Sequence, residues 1–435
     1  MGPHPVSAPG APGADTAHRH RTVHRLAHNG PVSTTDPHPA PEAQFAALLT
    51  DEGRALLEEV RDTEPARELA VATRLRREHP AELVNAALGQ ARLRQRAVAK
   101  FGAVDAARMF FTPDGVEQAT RTSVAAYRAR RMRESGVTSV ADLCCGIGGD
   151  AIALARAGIR VLAVDRSPLT CAVARANARA LGLTELIEVR EADVTEVATD
   201  GYDAVFVDPA RRGGRGRIFD PEAYSPPLSW AVDAVRAAGR GALKIAPGIP
   251  HEAVPDGVET EWISDRGDLK EAVLWFGTGA PDSRRSTLLP GGDSLTAALA
   301  AMPPDPAVRK VGRYLYEPDP AVIRARLVAS VAAEVSGGLL DETIAYVTSD
   351  VLRPTPFATA YEVTDHLPFH VKRLKALLRE RGVGVLTVKK RGSAVEPEEL
   401  RRKVRPQGPH SATVFLTRVA GAPTMLIGHP VPNGT

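Results

Sequence analysis

Cysteine is scarce. Cys144, Cys145 and Cys171 are the only three in 435 residues, too few and too unevenly placed for a disulfide framework or a zinc site. The first two are adjacent, an awkward geometry for a bridge, and a reducing cytoplasm is the expected setting. No run of about 18 apolar residues occurs, which argues against a membrane span. Aromatics are only 5% of the chain and the formal net charge is only +3, so composition alone does not announce a nucleic-acid binder. The Pro-, Ala-, Gly- and His-rich residues 1–40 lack the apolar core of a secretory signal and cannot supply a packed core. They read as a disordered tail. His18, His20, His24 and His28 read there as solvated side chains, and no metal site is expected.

What remains is long enough for two or three domains. Residues 41–135 carry helix formers with apolar spacing near 3.6. Residues 112–117 look like a helix start, with Pro113 in the first turn, and the helix is expected to run on to Arg133. The pattern then changes. Residues 137–143, 160–165, 186–190, 204–208 and 241–246 read as short buried strands alternating with helices at 151–156, 168–181 and 228–238. Such alternation gives an α/β fold with a parallel sheet covered on both faces. Two further strands near 259–264 and 272–277 are joined too closely for a crossover and should pair antiparallel. Together these make a domain over 136–280. Residues 281–307, rich in Pro, Gly and Ser, read as a linker. Residues 308–430 mix an apolar helix (321–335) with strands at 383–388 and 412–417, the second taken as the last, which suggests a small α+β domain.

A strand ending in an acid, then a glycine turn, then a helix describes a nucleotide-cofactor site. The segment Asp142-Leu-Cys-Cys-Gly-Ile-Gly-Gly-Asp150 has this form. Its glycines, Gly146 and Gly148, also satisfy a loose dinucleotide pattern, so taken alone they admit NAD. Asp142 separates the two, because a carboxylate beside the turn would repel a pyrophosphate and favour a cofactor carrying ammonium and sulfonium charges. Asp165, ending the second strand, is placed for ribose hydroxyls, and Asp193, after the third, for the adenine edge. Cys144 completes this cofactor set. Asp208-Pro209-Ala210-Arg211 follows the fourth strand, where ligands of open sheets bind. Methyl transfer needs its acceptor placed and desolvated more than it needs a strong base. A Pro-stiffened loop with a free carbonyl and Asp208 beside it could hold an amine, and Arg211 and Arg212, extended by Arg215 and Arg217, could hold a phosphate. A cysteine nucleophile is argued against, since none of the three follows the fourth strand; the adjacent pair should pack under the turn. Toward the C-terminus, Lys372, Arg373, Lys375, Arg379 and Arg381 precede Lys389-Lys390-Arg391 and residues 401–405, a clustering able to bind a phosphate backbone.

With those residues in hand, the chain resembles the bacterial class I S-adenosylmethionine-dependent methyltransferases that carry a THUMP-like C-terminal domain. Asp142–Asp150 is similar to their first motif, Asp165 to their ribose-binding acid and Asp208–Arg211 to their fourth motif. Residues 111–120 resemble the helix that closes over the cofactor, which adds Gln118 and Thr120 to the cofactor set, and residues 389–400 resemble the THUMP-like domain. The similarity covers roughly 41–430. It implies a Rossmann-like class I methyltransferase sheet with an N-terminal mainly helical domain, S-adenosylmethionine as cofactor, and RNA as partner, since true THUMP domains deliver RNA to a catalytic domain. Lys389, Lys390 and Arg391 would then help to bind it. The core is also similar, in part, to cap guanine-N2 methyltransferases. Enzymes of exocyclic amines usually show two prolines and an aromatic in the fourth motif; here Ala210 and Arg211 stand at the last two positions. Stacking would then come from Phe110, Phe111 or Trp275, or the target is not a base amine. The expected function is methylation of a base nitrogen of RNA, with Asp208, Pro209, Ala210 and Arg211 as catalytic set. The alternatives are an RNA-binding protein that keeps the cofactor site without catalysis, and a small-molecule methyltransferase.

Overall fold

A computed structural model describes residues 40–213, 216–217, 220–277 and 280–432, side chains from 212 to 219 excepted. Residues 1–39 of the expected tail, and the side chains of Arg212, Arg215 and Arg217, lie outside the described residues.

The N-terminal region is helical: α1 (Pro41–Leu48), α2 (Asp51–Val60), α3 (Glu68–Leu75), α4 (Ala81–Arg108), α5 (Pro113–Gln118) and α6 (Thr122–Glu134). Thr50 starts α2 by accepting the Gly53 amide at 3.1 Å, the usual role of a hydroxyl at a helix start. Buried Leu83, Val84, Ala87, Leu88 and Ala91 give α4 its helical apolar stripe. The single helix expected across 112–133 is instead two. Thr112 caps α5 through the Gly115 amide at 3.0 Å, and the chain leaves helical geometry at Ala119, with φ −56° and ψ 141°. The break spans Ala119–Arg121, where β-branched Thr120 propagates a helix poorly, and α6 restarts at Thr122. Lys100 closes the α5 end by donating to the Ala119 carbonyl at 2.8 Å.

The catalytic-type sheet follows: β1 (Ser139–Leu143), α7 (Gly149–Arg156), β2 (Arg160–Asp165), α8 (Pro168–Ala180), β3 (Ile187–Glu191), β4 (Ala204–Val207), a small hairpin β5 (Arg212–Gly213) and β6 (Gly216–Arg217), α9 (Leu228–Ala237), β7 (Gly241–Ile245), β8 (Glu259–Asp265), β9 (Asp268–Phe276), β10 (Ser283–Leu289) and β11 (Asp293–Ala298). Among the described residues the sheet has nine strands in the order β11-β10-β8-β9-β7-β4-β1-β2-β3. Strands β1 to β4 and β7 run parallel, and β9 pairs antiparallel with both β7 and β8. The expected linker at 281–307 is corrected here: β10 joins β8 in parallel and β11 pairs with β10. The strand signal was hidden because three of the four buried positions of β10 are polar, Ser283, Ser286 and Thr287, with Leu289 the fourth. Thr287 bonds to Glu261 and the Ser283 hydroxyl donates to the Ala280 carbonyl at 2.7 Å, as buried polar groups require, whereas the Ser286 hydroxyl has no partner among the described residues.

The last region contains β12 (Tyr314–Pro318), α10 (Pro320–Arg324), α11 (Val328–Glu334), β13 (Gly338–Asp341), β14 (Ile344–Ser349), β15 (Ala358–Pro368), α12 (Val371–Glu380), β16 (Val383–Lys390), α13 (Pro397–Val404), β17 (His410–Val419) and β18 (Ala422–Pro430). Its described sheet has seven strands, ordered β13-β14-β12-β15-β18-β17-β16. The helix expected over 321–335 is broken at Arg326, where φ is +58°, a left-handed stop of the kind that ends helices. β17 is not the last strand: Ala420 and Gly421, with φ of +46° and +81°, turn the chain into β18. Tyr316, Val322 and Val331 share one buried cluster with Leu143, Val207 and Ile245, so this region packs directly on the larger sheet. Each fully buried aliphatic side chain in such a cluster contributes about 1.5–3 kcal/mol.

Candidate active site

The glycine turn joins β1 to α7 at the carboxyl end of the parallel strands. Gly146 and Gly148 have φ of +56° and +84°, which glycine adopts without cost. Cys144, at φ +67°, does not have that freedom, and backbone strain of this kind concentrates at functional sites. Asn177 of α8 fixes the turn from behind by donating to the carbonyls of Ile147 and Phe110, each at 3.0 Å. Gln90 of α4 clamps Phe111 on both backbone groups, at 2.8 and 3.1 Å.

Above the turn lies a cavity of about 430 Å³, the size range of cofactor sites. Of the expected residues, Gln118, Thr120, Cys144, Gly146, Asp165, Asp208, Pro209, Ala210 and Arg211 all stand on its wall. Asp165 accepts the Gly146 amide at 3.1 Å and the Ser167 amide at 3.0 Å, so each oxygen keeps a lone pair for a further donor. Asp193 lines an adjoining cavity of about 290 Å³ that shares Cys144, Asp165, Arg166 and Ala210. Its carboxylate is engaged by the Thr195 hydroxyl at 2.7 Å and amide at 2.9 Å, bonds that hold it below the usual carboxylate range.

Asp142 is placed differently from expectation. It is fully buried behind the turn rather than on the cavity wall, and neither oxygen has a hydrogen-bond partner among the described residues. Burial, and then Asp150 and Asp208 nearby, push its carboxyl well above the ordinary range. Such an acid is satisfied by a nearby cation. The expected packing of Cys144 and Cys145 under the turn is corrected: both line the cavity, Cys145 the more buried of the two. Burial, with Asp165 and Asp208 adding to it, pushes the Cys144 thiol far up, which removes it as a nucleophile.

Sequence reasoning missed Lys244. It is the one charge in the apolar strand β7, a signal that could have found it, since lysine is rarely buried without a partner. Its ammonium donates to Asp208 Oδ2 at 2.6 Å and to Thr120 Oγ1 at 2.9 Å. Burial acts to lower its pKa, but Asp208, Glu271 and Asp150 outweigh this and raise it, so it stays protonated. Thr120 in turn donates to Asp150 at 3.0 Å. Arg128 of α6, stacked 4.6 Å from the Phe206 ring centroid, bridges Asp150 and Glu271. The fourth-motif loop is therefore anchored from below by buried ion pairs. It is also pinned laterally: Ala210 N–H donates to the Ser225 carbonyl at 2.9 Å and its carbonyl accepts the Ser225 amide at 3.1 Å.

Two expectations fail on geometry. Phe110, Phe111 and Trp275 are buried; Phe110 packs on Phe45, Phe111 on Phe101, and Trp275 under Arg131. None can stack on a bound base. Lys389 and Arg391 are turned into the C-terminal domain, where both pair with Glu317, and Arg391 lies 4.8 Å from the Tyr346 ring centroid. Lys390 pairs with Glu396 at 2.5 Å. The charged triplet ends β16 and ties it to β12; it is not a free basic patch. The exposed cations without a salt-bridge partner among the described residues include Lys372, Arg373, Lys375 and Arg379 on α12, and Arg402 and Arg405 at α13.

The comparisons agree with this architecture. The methyltransferase-domain family matches residues 140–210, the THUMP domain-like family 358–430, and a domain of unknown function 42–97. An uncharacterized S-adenosylmethionine-dependent methyltransferase of Mycobacterium tuberculosis is 36% identical over 75% of this chain and 90% of its own length. A 23S rRNA (uracil(1939)-C(5))-methyltransferase, RlmD of Edwardsiella ictaluri, is 40% identical over 18% of this chain and 19% of its own length. The crystal structure of a proposed methyltransferase from Porphyromonas gingivalis W83 superposes with a TM-score of 0.74, at 21% identity, over 90% of this chain and 99% of that one. Fold and site thus define a class I methyltransferase. The chain belongs to the S-adenosylmethionine-dependent methyltransferases, with a C-terminal THUMP-like domain.

The residues present fit that cofactor. Asp165 has lone pairs for ribose hydroxyls, Asp142 is an orphaned acid beside the turn, and a Cβ built on Gly146 would meet nothing within 4 Å, so the turn has open space over it. Among the described residues no helix is long and apolar enough to cross a membrane, and no group of acids, histidines and cysteines is placed to hold a metal.

Proposed function

We propose that the enzyme methylates a base nitrogen of RNA, with Asp208, Pro209 and Arg211 holding the acceptor. The observation that carries this reading is Asp208, fixed by Lys244 on the wall of the cofactor cavity. Its Oδ1 has no hydrogen bond among the described residues, and neither has the Pro209 carbonyl. These two acceptors suit the two N–H groups of an exocyclic amine. S-adenosylmethionine supplies the methyl group. Asp208 and Pro209 orient the amine in line, and Asp208 Oδ1 is the acceptor for its departing proton. The Arg211 guanidinium takes the place of the missing aromatic, since a planar guanidinium also stacks on bases. Gln118, Thr120, Cys144, Gly146 and Asp165, with Asp142 behind and Asp193 at the adjoining cavity, would form the cofactor site.

RNA as substrate is supported by the THUMP domain-like match, the partial similarity to an rRNA methyltransferase, and the unpaired cations of α12 and α13. Carbon-5 methylation through a thiol is disfavoured, because no cysteine follows β4 and burial pushes all three thiols up. Three unbridged cysteines fit a reducing, cytoplasmic setting. The test is transfer of labelled methyl groups to RNA from a strain lacking the gene, followed by mass spectrometry of its nucleosides. A methylated base nitrogen restored by wild type and not by Asp208→Ala is expected. A second reading, RNA binding without catalysis, is favoured by the absence of any aromatic among the cavity's lining residues; RNA binding without transfer would establish it.

A further inference from the structure

The C-terminal domain carries another cavity, of about 380 Å³, where α12 meets β15, β16, β17 and β18. Its floor is apolar, with Leu378 and Ile427, while Asp365, Arg381, His410 and His429 stand around it. Asp365 decides what it can hold. Its Oδ1 accepts from Arg381 at 2.9 Å, whereas its Oδ2 is shielded from solvent and has no partner among the described residues. A shielded carboxylate oxygen without a donor is unfavourable, and a ligand N–H would satisfy it. His410 and His429 are exposed, and imidazole rings are surfaces on which unstacked bases lie. Arg373 is exposed and stands four and eight residues before Leu377 and Arg381, so the three share one stripe of α12. That stripe carries the Arg373 guanidinium beyond the cavity lining, about 12 Å along the helix from Arg381.

We infer that this cavity takes one unstacked nucleotide of an RNA strand. The base sets its N–H edge on Asp365 and its face on the imidazoles, and the adjoining phosphates lie on Arg381 and Arg373. The inference rests on the reading that RNA is the partner, and it adds a nucleotide subsite on the C-terminal domain that is separate from the methyl-transfer cavity. An apolar floor, an unmatched carboxylate oxygen, two imidazoles and two guanidiniums together suit a nucleotide better than a simple anion, which Asp365 would repel.

The test uses the full chain with S-adenosylhomocysteine saturating the cofactor cavity, so that nucleotides cannot bind there. AMP, GMP, CMP and UMP are titrated separately by ligand-observed NMR, and an unstructured 12-nucleotide RNA by fluorescence anisotropy. At least one mononucleotide should bind with Kd about 1 mM, weakened fivefold or more in Asp365→Asn and in His429→Ala. His429 is exposed, and Asp365→Asn is isosteric and keeps an oxygen that can accept from Arg381, so melting temperatures should change by no more than about two degrees. The same variants should weaken RNA binding about threefold to tenfold with an unchanged salt slope, since no phosphate contact is removed. RNA binding by wild type with no mononucleotide binding would overturn the subsite and leave the RNA reading intact. Mononucleotide binding unaffected by either variant would also overturn it. No RNA binding at all would overturn the partner and the subsite together.

Discussion

Lys244 Nζ lies 2.6 Å from Asp208 Oδ2, an ion pair that couples the interior of β7 to the loop after β4. The lysine is 5% exposed and the aspartate 22%, so the pair spans from core to cavity. On the role proposed for Asp208, this lysine is a positioning residue: the ammonium fixes one carboxylate oxygen and leaves the other for the acceptor. Lys244→Met should therefore lower methyl transfer at least 100-fold while leaving S-adenosylmethionine affinity within about threefold. Removing one partner of a buried pair also costs stability, about 3 kcal/mol here, measurable by urea unfolding. Lys244→Arg should restore part of both. Because the folded pKa of Lys244 is raised, its contribution is full below the unfolded value near 10.4 and is lost only above it. A pH profile that falls on the alkaline side below about pH 9 because of this group would contradict the assignment.

Asp142 leads to a prediction of opposite sign for stability. Its folded pKa is raised, so between the unfolded value near 3.9 and the folded one, the folded state binds more protons. Stability from this group is present at low pH and falls as pH rises through that window. Asp142→Asn should then leave the ligand-free protein as stable as wild type, or more stable, at pH 7.5. It should also reduce the rise in melting temperature on adding S-adenosylmethionine. Scanning fluorimetry with and without the cofactor reads both, and a destabilised ligand-free variant with an undiminished cofactor shift would contradict the assignment.

Much of this site was legible because its chemistry is local in sequence. Asp142 to Asp150, Asp165 and Asp208 each sit at the end of a strand, and strand ends are marked by a switch from apolar runs to glycine, acid or proline. Lys244 was overlooked because its partners, Asp208 and Thr120, are distant in sequence, and a single lysine in a strand carries no motif. Residues 283–298 were misread for a related reason. Three of the four buried positions of β10 are serine or threonine, and Thr287 and Arg285 bond to Glu261 and Glu259 on β8, so the strand has a polar pattern that tertiary pairing explains. The basic triplet 389–391 failed in the other direction: charge density suggested a surface, and Glu317 on β12 turned two of its three cations inward.

That inward turn separates two sets of cations by experiment. Lys389→Met or Arg391→Met removes one of the two cations that pair with Glu317, and should lower the melting temperature by several degrees. Reversal of Lys372, Lys375 and Arg379 to Glu should leave melting within about one degree, because these side chains are exposed and unpaired. It should weaken RNA binding at least tenfold and reduce the slope of log K against log salt by about 2–3. Equal salt slopes in wild type and the triple variant would remove α12 from the proposed RNA interface.

His251 supplies an acid-side prediction that is independent of any ligand. Its ring packs 5.3 Å from the Trp262 centroid, and burial, then Arg284, Arg326 and Arg324, hold its pKa down to about 4. A histidine with a depressed folded pKa binds fewer protons folded than unfolded between about pH 4 and its free value near 6.5. Stability therefore rises with pH through that window and is lost as pH falls through it. The ring is partly exposed, so solvent screening makes the effect smaller than the full shift would give. His251→Gln removes the titrating group and should flatten the difference in urea midpoint between pH 4.5 and pH 7, even if the variant is less stable at both. An unchanged difference would mean that the acid sensitivity comes from carboxylates elsewhere and not from the arginine-ringed imidazole.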